Sequence, residues 1–425
     1  MKIHYLEKMC EEEKKRLIGR SSMEIENAEE KVRGILKEIR EKGEEAAAKY
    51  NNEFDNYGGS FIPSPSEYAE AAKETSPALL KALKHSIKNV EKFHRACMPK
   101  SFMLSIEKGV KAGRRVVPLE SAGLYIPGGK AIYPSVLIML GVAAKVAGVK
   151  KIYAAIPPKA CKGAMLVVAK ILGIKIFKIG GVQAIGAFAY GTKTIPKVEV
   201  IAGPGNPFVS AAQKIIRAEN KTKIEFIPGP SEGMVFAEES DNAKFAAADV
   251  LSEAEHGPDS AGILVTTSEQ FAKKVQREIP RVLRNVPKKR KNFILENSKK
   301  YSAIIIAKNP SKAIEFINEY APEHLVIYNK KYLGKIRNAG TICVGKYSSI
   351  TAGNFIAGPN AILPTNSQGK IYSGISVDTF LKKPTIEWLS EKGLKGTAQD
   401  TLLLSDYEGF PMHSHSIRIR LEKGK

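Results

Sequence analysis

The sequence is poor in cysteine, and its four cysteines, Cys10, Cys97, Cys161 and Cys343, lie far apart in 425 residues. Because no Cys-x-x-Cys pair occurs, the spacing excludes a thiolate zinc site and a small disulfide framework. We therefore expect free thiols and a reducing compartment. The chain also lacks an apolar run long enough to span a bilayer, and its charged first residues contain no signal-peptide core. These absences predict a cytoplasmic protein that makes no membrane contact.

The sequence also lacks the Gly-x-Gly-x-x-Gly fingerprint of dinucleotide-binding folds. Three other glycine-rich turns occur, at 125–129, 180–183 and 203–206, and each follows a predicted strand. Glycines let a backbone approach a phosphate closely, and helix N-termini favour anions. Each turn alone is more typical of a tight turn than of a ligand site. Three of them at successive strand ends predict a ligand cleft, because parallel sheets bind ligands at the carboxyl ends of their strands.

Acidic residues are too few to balance the basic ones: 44 Asp and Glu stand against 66 Lys and Arg, for a formal charge of +22. Such an excess is compatible with nucleic acid or an anionic ligand. However, the one dense basic run, at 288–291, contains no aromatic residue, and elsewhere lysines alternate with glutamates along predicted helices. This pattern is typical of a solvated surface, and it predicts no nucleic-acid partner.

Short apolar segments alternate with helical patterns through the middle of the chain. The predicted strands are 122–126, 151–156, 174–179, 198–202, 224–227, 261–266, 302–307, 325–328 and 340–344. The predicted helices between them are 133–147, 162–172, 183–190, 208–219, 242–256, 269–283 and 312–320. This alternation predicts an α/β fold with parallel sheets and right-handed crossovers.

The two ends of the chain follow other patterns. Residues 1–19 resemble a short helical arm, and apolar residues at helical spacing predict a helix at 21–50. A second helix is predicted at 66–98, broken near Pro77, and a hairpin at 102–118. After about residue 374 the alternation is lost, so we predict an extended tail.

The sequence Tyr-Ala-Pro-Glu-His-Leu at 320–325 places a carboxylate, Glu323, beside an imidazole, His324. Pro322 disfavours helical geometry at the preceding residue, so the pair lies where a helix gives way to a strand. A histidine titrates near neutral pH, and a neighbouring carboxylate can orient it or activate water. An isolated Glu-His pair is usually a surface feature. Two further acidic and histidine-containing segments, at 251–260 and 406–415, favour an acid–base site.

Glu253 and His256 are three residues apart on a predicted helix and share one face. Glu-x-x-His is a spacing that holds metals in helical bundles. Since a transition metal usually takes about four ligands, others must come from elsewhere. The further candidates are Asn354, Glu408, His413 and His415. Nitrogen and oxygen ligands without thiolate suit zinc or manganese, whereas the alternative is a solvated charge pair at a helix end.

Together with the segments above, several longer motifs resemble the histidinol dehydrogenase family, and the resemblance covers residues 33–413. The motifs are Gly-Leu-Tyr-Ile-Pro-Gly-Gly at 123–129, Gly-Val-Gln-Ala-Ile at 181–185, Gly-Pro-Gly-Asn at 203–206, Gly-Pro-Ser-Glu at 229–232, Ala-Glu-His-Gly-Pro-Asp-Ser at 254–260 and Leu-Pro-Thr at 363–365. The resemblance implies an enzyme that oxidises histidinol through its aldehyde to histidine with two NAD, the last step of histidine biosynthesis. It also implies an intertwined, zinc-dependent homodimer with two incomplete Rossmann-like domains.

The domain limits expected on this basis divide the chain into four parts. They are an N-terminal arm at 1–20, a first Rossmann-like domain on the metal and substrate side at 21–122 and 233–373, a second one on the NAD side at 123–232, and a tail at 374–425. The tail is expected to complete the active site of the partner subunit.

The resemblance also implies roles for single residues. His324 would be the general base of both oxidations, and Glu323 would activate water for the aldehyde step. The implied NAD contacts are Tyr125, Gln183 and Asn206. The implied metal ligands are Glu253, His256, Asn354 and, from the other subunit, His413. The implied substrate contacts are Ser231, Glu253, His256, His324, Asn354, Glu408 and His413.

Four positions in the proposed pocket depart from the family pattern. They are Glu253 in place of glutamine, Ile350 in place of glutamate, Asn354 in place of aspartate and Ala361 in place of histidine. The acid–base pair and the NAD contacts are kept, so the pattern favours intact redox chemistry with an altered pocket. Three hypotheses remain open: a histidinol dehydrogenase, a paralogue that oxidises another small polar alcohol or amino alcohol, and a catalytically weak relative kept for binding.

Overall fold

The computed structural model describes residues 1–19, 22–129, 131–219 and 221–422. Its strands are β1 Lys2–Tyr5, β2 Phe102–Glu107, β3 Val110–Arg114, β4 Val117–Pro118, β5 Ser121–Tyr125, β6 Lys151–Ile156, β7 Lys175–Lys178, β8 Val200–Ala202, β9 Glu232–Phe236, β10 Ala261–Thr266, β11 Ala303–Ile306, β12 His324–Ile327, β13 Thr341–Val344, β14 Leu381–Lys382 and β15 Thr385–Leu389. Its α-helices are α1 Glu11–Ile18, α2 Ser22–Lys42, α3 Glu44–Asp55, α4 Pro65–Glu74, α5 Pro77–Ala96, α6 Pro134–Ala147, α7 Ala164–Leu172, α8 Gly181–Tyr190, α9 Pro207–Ala218, α10 Ala243–Ala254, α11 Glu269–Val282, α12 Lys288–Lys300, α13 Pro310–Tyr320, α14 Ile350–Phe355, α15 Glu391–Tyr407 and α16 Pro411–Leu421.

Two parallel sheets form the frame of the fold. The large sheet has the strand order β1-β11-β10-β9-β12-β13, and the small sheet has the order β7-β6-β5-β8. Each strand pairing within these two sheets is parallel. α-Helices connect the consecutive strands of each sheet, except that a 3₁₀ helix, Lys330–Lys335, connects β12 to β13. The predicted α/β fold class is therefore confirmed.

The strands at the centre of the large sheet are buried on both faces. Successive residues of β10 point in opposite directions, so Ile263 packs into one core and Leu264 into the other. Burial on both faces is why this strand is an apolar run rather than an alternating one. With helices on each face, the ends of the strands and the adjoining loops are the places where polar side chains can collect.

Helices α2 and α3 pack on the small sheet side. Apolar residues of α2, among them Val32, Leu36 and Ile39, join the core formed by α8 and α9. The sequence predicted that residues 21–122 and 233–373 form one domain. Helices α2 and α3 belong to the first of these segments, but they pack on the small sheet side. The apolar stripe of α2 meets its complement on α8 and α9 rather than on the large sheet. The full set of domain limits stays a prediction.

Some local predictions are wrong. Residues 2–5 form β1, which pairs with β11 at the edge of the large sheet, and are not part of a helical arm. The helix predicted at 21–50 is divided by Gly43, whose φ of 57° breaks the helical geometry. Residues 224–227 are not a strand, since pairing beside β8 stops at a single bridge to Lys223. The predicted boundary at residues 20 and 21 lies outside the described residues.

Other local predictions are confirmed. The break near Pro77 separates α4 from α5, and β2 and β3 form the predicted hairpin. The four cysteines are free thiols. Among the described residues, no helix combines the length and apolar character that crossing a membrane demands.

The chain divides into two compact units, Met1–Cys97 with Leu119–Phe380, and Met98–Pro118 with Leu381–Lys425. The first unit contains both parallel sheets. In the second unit, β15 extends the β2–β3 hairpin, β14 pairs with β4, and α15 packs on α16. The segment predicted as an extended tail thus includes two helices. The second unit exposes many large apolar side chains, including Phe102, Met103, Leu104, Ile106, Trp388, Leu403, Leu404, Tyr407 and Met412.

Candidate active site

A left-handed residue at the end of α13 positions the predicted acid–base pair. Ala321 has a φ of 51° and closes the helix, and Pro322 prevents it from continuing. The chain then enters β12 at His324, whose neighbours across the sheet are Gly233 in β9 and Thr341 in β13. The pair therefore lies at the amino ends of these strands. The sequence predicted this pair where a helix gives way to a strand, and that prediction is confirmed.

Two buried glutamates, Glu232 and Glu323, accept hydrogen bonds from each other's backbone at this edge. The Glu323 carboxylate accepts a 2.8 Å hydrogen bond from the backbone N–H of Glu232. The Glu232 carboxylate accepts hydrogen bonds from the backbone N–H of Glu323 at 3.4 Å and from that of Asn366 at 2.9 Å. Both side chains are buried. Sequence analysis gave Glu232 no role, although the motif at 229–232 contains it.

His324 is buried, with 3% of its surface exposed. Its Nε2–H donates a 3.0 Å hydrogen bond to Oδ1 of Asn354. Its Nδ1 lies 3.7 Å from the Glu323 carboxylate and has no hydrogen-bond partner in the described residues. Burial by itself would lower the pKa of His324, but the charges of Glu253 and Glu323 and the hydrogen bond to Asn354 raise that pKa to about 9.

A polar chain continues from His324 to the end of α10. The Asn354 amide donates a 2.8 Å hydrogen bond to Oε1 of Glu253. The other Glu253 oxygen lies 3.3 Å from Nδ1 of His256. That nitrogen is also 3.0 Å from the hydroxyl of Ser231. With Glu323, six of the residues proposed from the sequence therefore meet here, within one unit of the chain.

The donor set of this chain suits a divalent cation. Among the described residues, ligand atoms of Glu253, Glu323 and His324 all lie within 4.8 Å of one another. Carboxylate, amide and imidazole donors without thiolate fit zinc or manganese. Three of the four predicted ligands are in contact here. The fourth, His413, lies on α16 in the second unit, and Glu408 caps the C-terminus of α15 in the same unit.

The predicted NAD contacts lie at the carboxyl ends of strands in the small sheet, as the sequence predicted for its glycine-rich turns. Tyr125 ends β5, and its hydroxyl oxygen accepts a 3.2 Å hydrogen bond from the N–H of Gly181. Burial raises the pKa of Tyr125 to about 12. Asn206 is exposed and caps α9 by accepting a 3.0 Å hydrogen bond from the N–H of Val209. Gly203 is required between them, since its φ is 139° and a Cβ would come within 2.0 Å of the Tyr125 carbonyl oxygen.

Gln183 is fully buried beside this turn. Its amide donates a 3.4 Å hydrogen bond to Asp55, while its Oε1 has no partner in the described residues. Burial raises the pKa of Asp55, an effect that the charge of Lys159 opposes. No local sequence signal marks Asp55, because it ends a surface helix and reaches Gln183 only through the fold.

A cavity of about 350 Å³ adjoins His324. One wall is β13, and the others are α14 and the segment that runs from Ala357 to Ala361. Asn354 lies in its lining next to His324, so the cavity is continuous with the polar chain described above.

Comparisons with known proteins agree on one family. The family model described as histidinol dehydrogenase matches residues 18–421. Histidinol dehydrogenases of Methanothermobacter thermautotrophicus and Methanosarcina mazei are 38% and 39% identical to the chain, and the alignments cover 95% and 98% of it and 96% of each relative. The crystal structure of histidinol dehydrogenase from Elizabethkingia anophelis matches with a TM-score of 0.92 at 35% identity, over 99% of this chain and 98% of that one.

Proposed function

Because the chain belongs to the histidinol dehydrogenase family, we propose that it oxidises L-histidinol to L-histidine with two NAD, through the aldehyde. The observation that carries this proposal is the buried polar chain that runs from Glu323 and His324 through Asn354 to Glu253. This polar chain joins a base, a carboxylate and a cation site, which are the groups that the two oxidations require. In each oxidation one hydride goes to NAD, and a base takes one proton from the hydroxyl group.

His324 is the proposed base of both steps. Nε2 is hydrogen bonded to Asn354 and the buried Nδ1 faces Glu323, so the substrate exchanges a proton with the ring only when one of these neighbours moves. The carboxylates of Glu253 and Glu323 make the ring a strong proton acceptor by raising its pKa. A divalent cation held by Glu253, His256, Asn354 and His413 of the partner subunit would orient the substrate, and its charge would bring that pKa back toward neutrality.

Glu323 is proposed to activate the water that attacks the aldehyde. The backbone N–H of Glu232 fixes one of its oxygens, which orients the other toward an incoming water. Since water enters only the second oxidation, this role is confined to the aldehyde step. Ser231, beside His256, and Glu408 are proposed to contact the substrate.

Tyr125, Gln183 and Asn206 are the proposed NAD contacts. Support comes from their meeting at one end of the small sheet, at turns where a helix N-terminus and glycines can receive phosphate. Tyr125 and Gln183 are buried, so NAD can contact them only after a local rearrangement of the residues that cover them.

The proposed assembly is a homodimer in which the second unit of each chain completes the partner's site. Support comes from the number of large apolar side chains that the second unit exposes, since large exposed apolar patches often mark protein–protein interaction sites. Glu408 and His413 lie in that unit. A cytoplasmic location and the absence of nucleic-acid and membrane partners remain predictions from the sequence.

The test is NADH formation by the purified, zinc-loaded protein with L-histidinol. Two NADH per histidinol are expected, with histidine as product. The competing function is the same chemistry on another small polar alcohol, and Ala361 in the cavity wall is the observation that favours it. Turnover of other alcohols without turnover of histidinol would decide for the competing function.

A further inference from the structure

Glu232 is a buried acidic residue to which the proposed mechanism gives only a backbone role. It begins β9, between β10 and β12, and 1% of its surface is exposed. A carboxylate is costly to bury unless hydrogen bonds replace those that it made to water. Among the described residues, the ligand atoms that cluster near the base come from Glu253, Glu323 and His324, so Glu232 is not one of these candidate ligands. Its burial therefore has another cause.

Both oxygens of the Glu232 carboxylate accept hydrogen bonds from the main chain. Oε1 accepts from the N–H of Asn366 at 2.9 Å, and Oε2 accepts from the N–H of Glu323 at 3.4 Å. A carboxylate accepts at both oxygens, whereas a glutamine side chain has one oxygen and an NH2 group that donates. With glutamine at this position, one of the two backbone N–H groups would face another donor. The arrangement therefore requires a carboxylate at position 232.

Asn366 belongs to a turn whose backbone is unfavourable for most residues. Asn366 and Ser367 both have left-handed geometry, with φ of 54° and 59°. Two consecutive residues of this kind, neither of them glycine, persist only where contacts hold them. The Thr365 hydroxyl accepts a 2.6 Å hydrogen bond from the N–H of Gly229. The Ser367 hydroxyl donates one of 2.9 Å to the carbonyl oxygen of Tyr320. The turn is thus attached both to the segment that precedes β9 and to the end of α13.

The same two segments carry Glu323 and the backbone donor that holds it. The N–H of Glu232 donates to the Glu323 carboxylate at 2.8 Å, and the N–H of Glu323 donates to the Glu232 carboxylate. Gly233 and His324, the residues that follow them, are neighbours across β9 and β12. A shift of Glu232 would therefore move both the donor that fixes the Glu323 carboxylate and the main chain that carries it.

We propose that Glu232 is a positioning residue, whose carboxylate holds Glu323 in the orientation that activates water in the aldehyde step. The inference rests on the proposed function and adds a residue to it. In this step the water oxygen bonds to the aldehyde carbon, the carbonyl electron pair moves to the carbonyl oxygen, and the proton that the water loses goes to Glu323. Glu232 transfers no proton and acts through Glu323. Because a misplacement of about 1 Å can cost about a hundredfold in rate, loss of its hydrogen bonds should slow this step.

A double-mutant cycle tests whether Glu232 acts through Glu323. The zinc-loaded parent, Glu232→Gln, Glu323→Gln and the double variant are each followed by NADH formation in single turnovers with L-histidinol. We expect Glu232→Gln to slow formation of the second NADH by about tenfold to a hundredfold, with the first NADH and the steady-state KM for histidinol affected less. In the Glu323→Gln background, the same substitution should change that rate by less than about threefold, since residues that act as a unit are not additive.

Glu238→Gln is the matched control. Glu238 follows the other end of β9, where its partly buried carboxylate accepts hydrogen bonds from Asn329, Lys331 and Tyr332. Loss of these bonds tests a purely structural effect, and the ratio of the two NADH rates should stay near that of the parent. Thermal unfolding checks that each variant is folded. If Glu232→Gln does not fold, Glu232→Asp, which keeps both acceptor oxygens on a shorter side chain, takes its place in the cycle.

The outcomes separate this inference from the proposed function. With an active parent, formation of both NADH at parental rates by Glu232→Gln would overturn the inference and leave the proposed function standing. Equal slowing in the parent and in the Glu323→Gln background would do the same, because Glu232 would then act independently of Glu323. The same selective slowing in Glu238→Gln would also overturn the inference. A parent that forms no NADH with histidinol would overturn the proposed function and, with it, the inference.

Discussion

Nε2 of His324 and Oδ1 of Asn354 are 3.0 Å apart, and the ring N–H donates to the amide oxygen. Because the Asn354 amide also donates to Glu253 at 2.8 Å, the proposed base and the proposed cation site share one hydrogen-bonded chain. A substitution at either end therefore acts on both proton transfer and metal binding. Turnover and binding must therefore be measured separately for each variant of this chain.

Loss of the base is the first prediction. His324→Ala should lower kcat on the true substrate by about 10²–10⁴, the range for a lost general base. NAD affinity should stay near that of the parent, because the proposed NAD contacts lie on the small sheet and His324 on the large one. Steady-state kinetics and NAD titration measure the two effects. Near-parental turnover in His324→Ala would remove this residue from the mechanism.

A second prediction separates the two oxidations. Glu323→Gln keeps the size of the side chain and an oxygen that can accept from the N–H of Glu232, but it cannot take a proton from water. The aldehyde step should slow by about 10²–10⁴, while the alcohol step is affected less. The measured NADH per histidinol in a single turnover should fall from two toward one, with aldehyde detectable by trapping. An unchanged yield of two at an unchanged rate would contradict the role of Glu323.

The sequence could predict much of the fold because buried parallel strands are short apolar runs between helices, as in β10 and β6. It missed β1, since Lys-Ile-His-Tyr at a sheet edge is half polar, and it missed β9, which begins with a glutamate. The motif at 320–325 located Glu323 and His324. It could not reveal Glu232, which meets Glu323 across 91 positions of sequence. Long-range contacts of this kind leave no local pattern.

A third prediction concerns stability in acid and rests on His94, which is fully buried on α5. Burial lowers the pKa of His94 to about 4, below the value of about 6.5 for an exposed histidine. At pH values between these two pKa values, His94 therefore binds a proton in the unfolded chain but not in the folded chain. Neutral His94 therefore costs no stability above about pH 6.5. As the pH falls from there toward 4, the free energy of unfolding decreases by roughly 2–3 kcal/mol.

Urea unfolding at a series of pH values measures this loss. His94→Gln should flatten the dependence of the free energy of unfolding on pH between about 6.5 and 4. His85→Gln on the exposed side of the same helix is the matched control and should keep the parental slope. An equal slope in His94→Gln and the parent would show that another group causes the loss.

A fourth prediction concerns the shared site of the proposed dimer. If His413 reaches the partner's site, neither His324→Ala nor His413→Ala alone has a complete site. Mixing the two proteins under subunit exchange should form heterodimers in which one of the two sites is intact. Activity should therefore recover to a fraction of the parental value, measured after exchange is proven with tagged subunits. Proven exchange without recovery would place both residues in the site of one chain.

The last prediction concerns the cation site, where two departures from the family pattern offset each other. Glutamate in place of glutamine at position 253 adds one negative charge, and asparagine in place of aspartate at position 354 removes one. The side chains of Glu253 and Asn354 are hydrogen bonded at 2.8 Å. The paired replacement therefore keeps a hydrogen bond between the two positions, with the donor and the acceptor reversed. Both ligand sets carry one negative charge, two side-chain oxygens and two imidazoles. We therefore expect the protein to bind a zinc or manganese ion.

Four proteins test this compensation: the parent, Glu253→Gln, Asn354→Asp and the double variant. Glu253→Gln leaves a neutral ligand set and should weaken metal binding by about tenfold or more, because affinity follows ligand charge. The double variant restores the charge and should recover the affinity. Asn354→Asp alone places two carboxylates in contact, which repel without a cation, and should bind metal most tightly. Metal content and calorimetric titration measure the series. A parent that binds no metal, or a Glu253→Gln protein that binds as well as the parent, would show that the two substitutions are not compensatory.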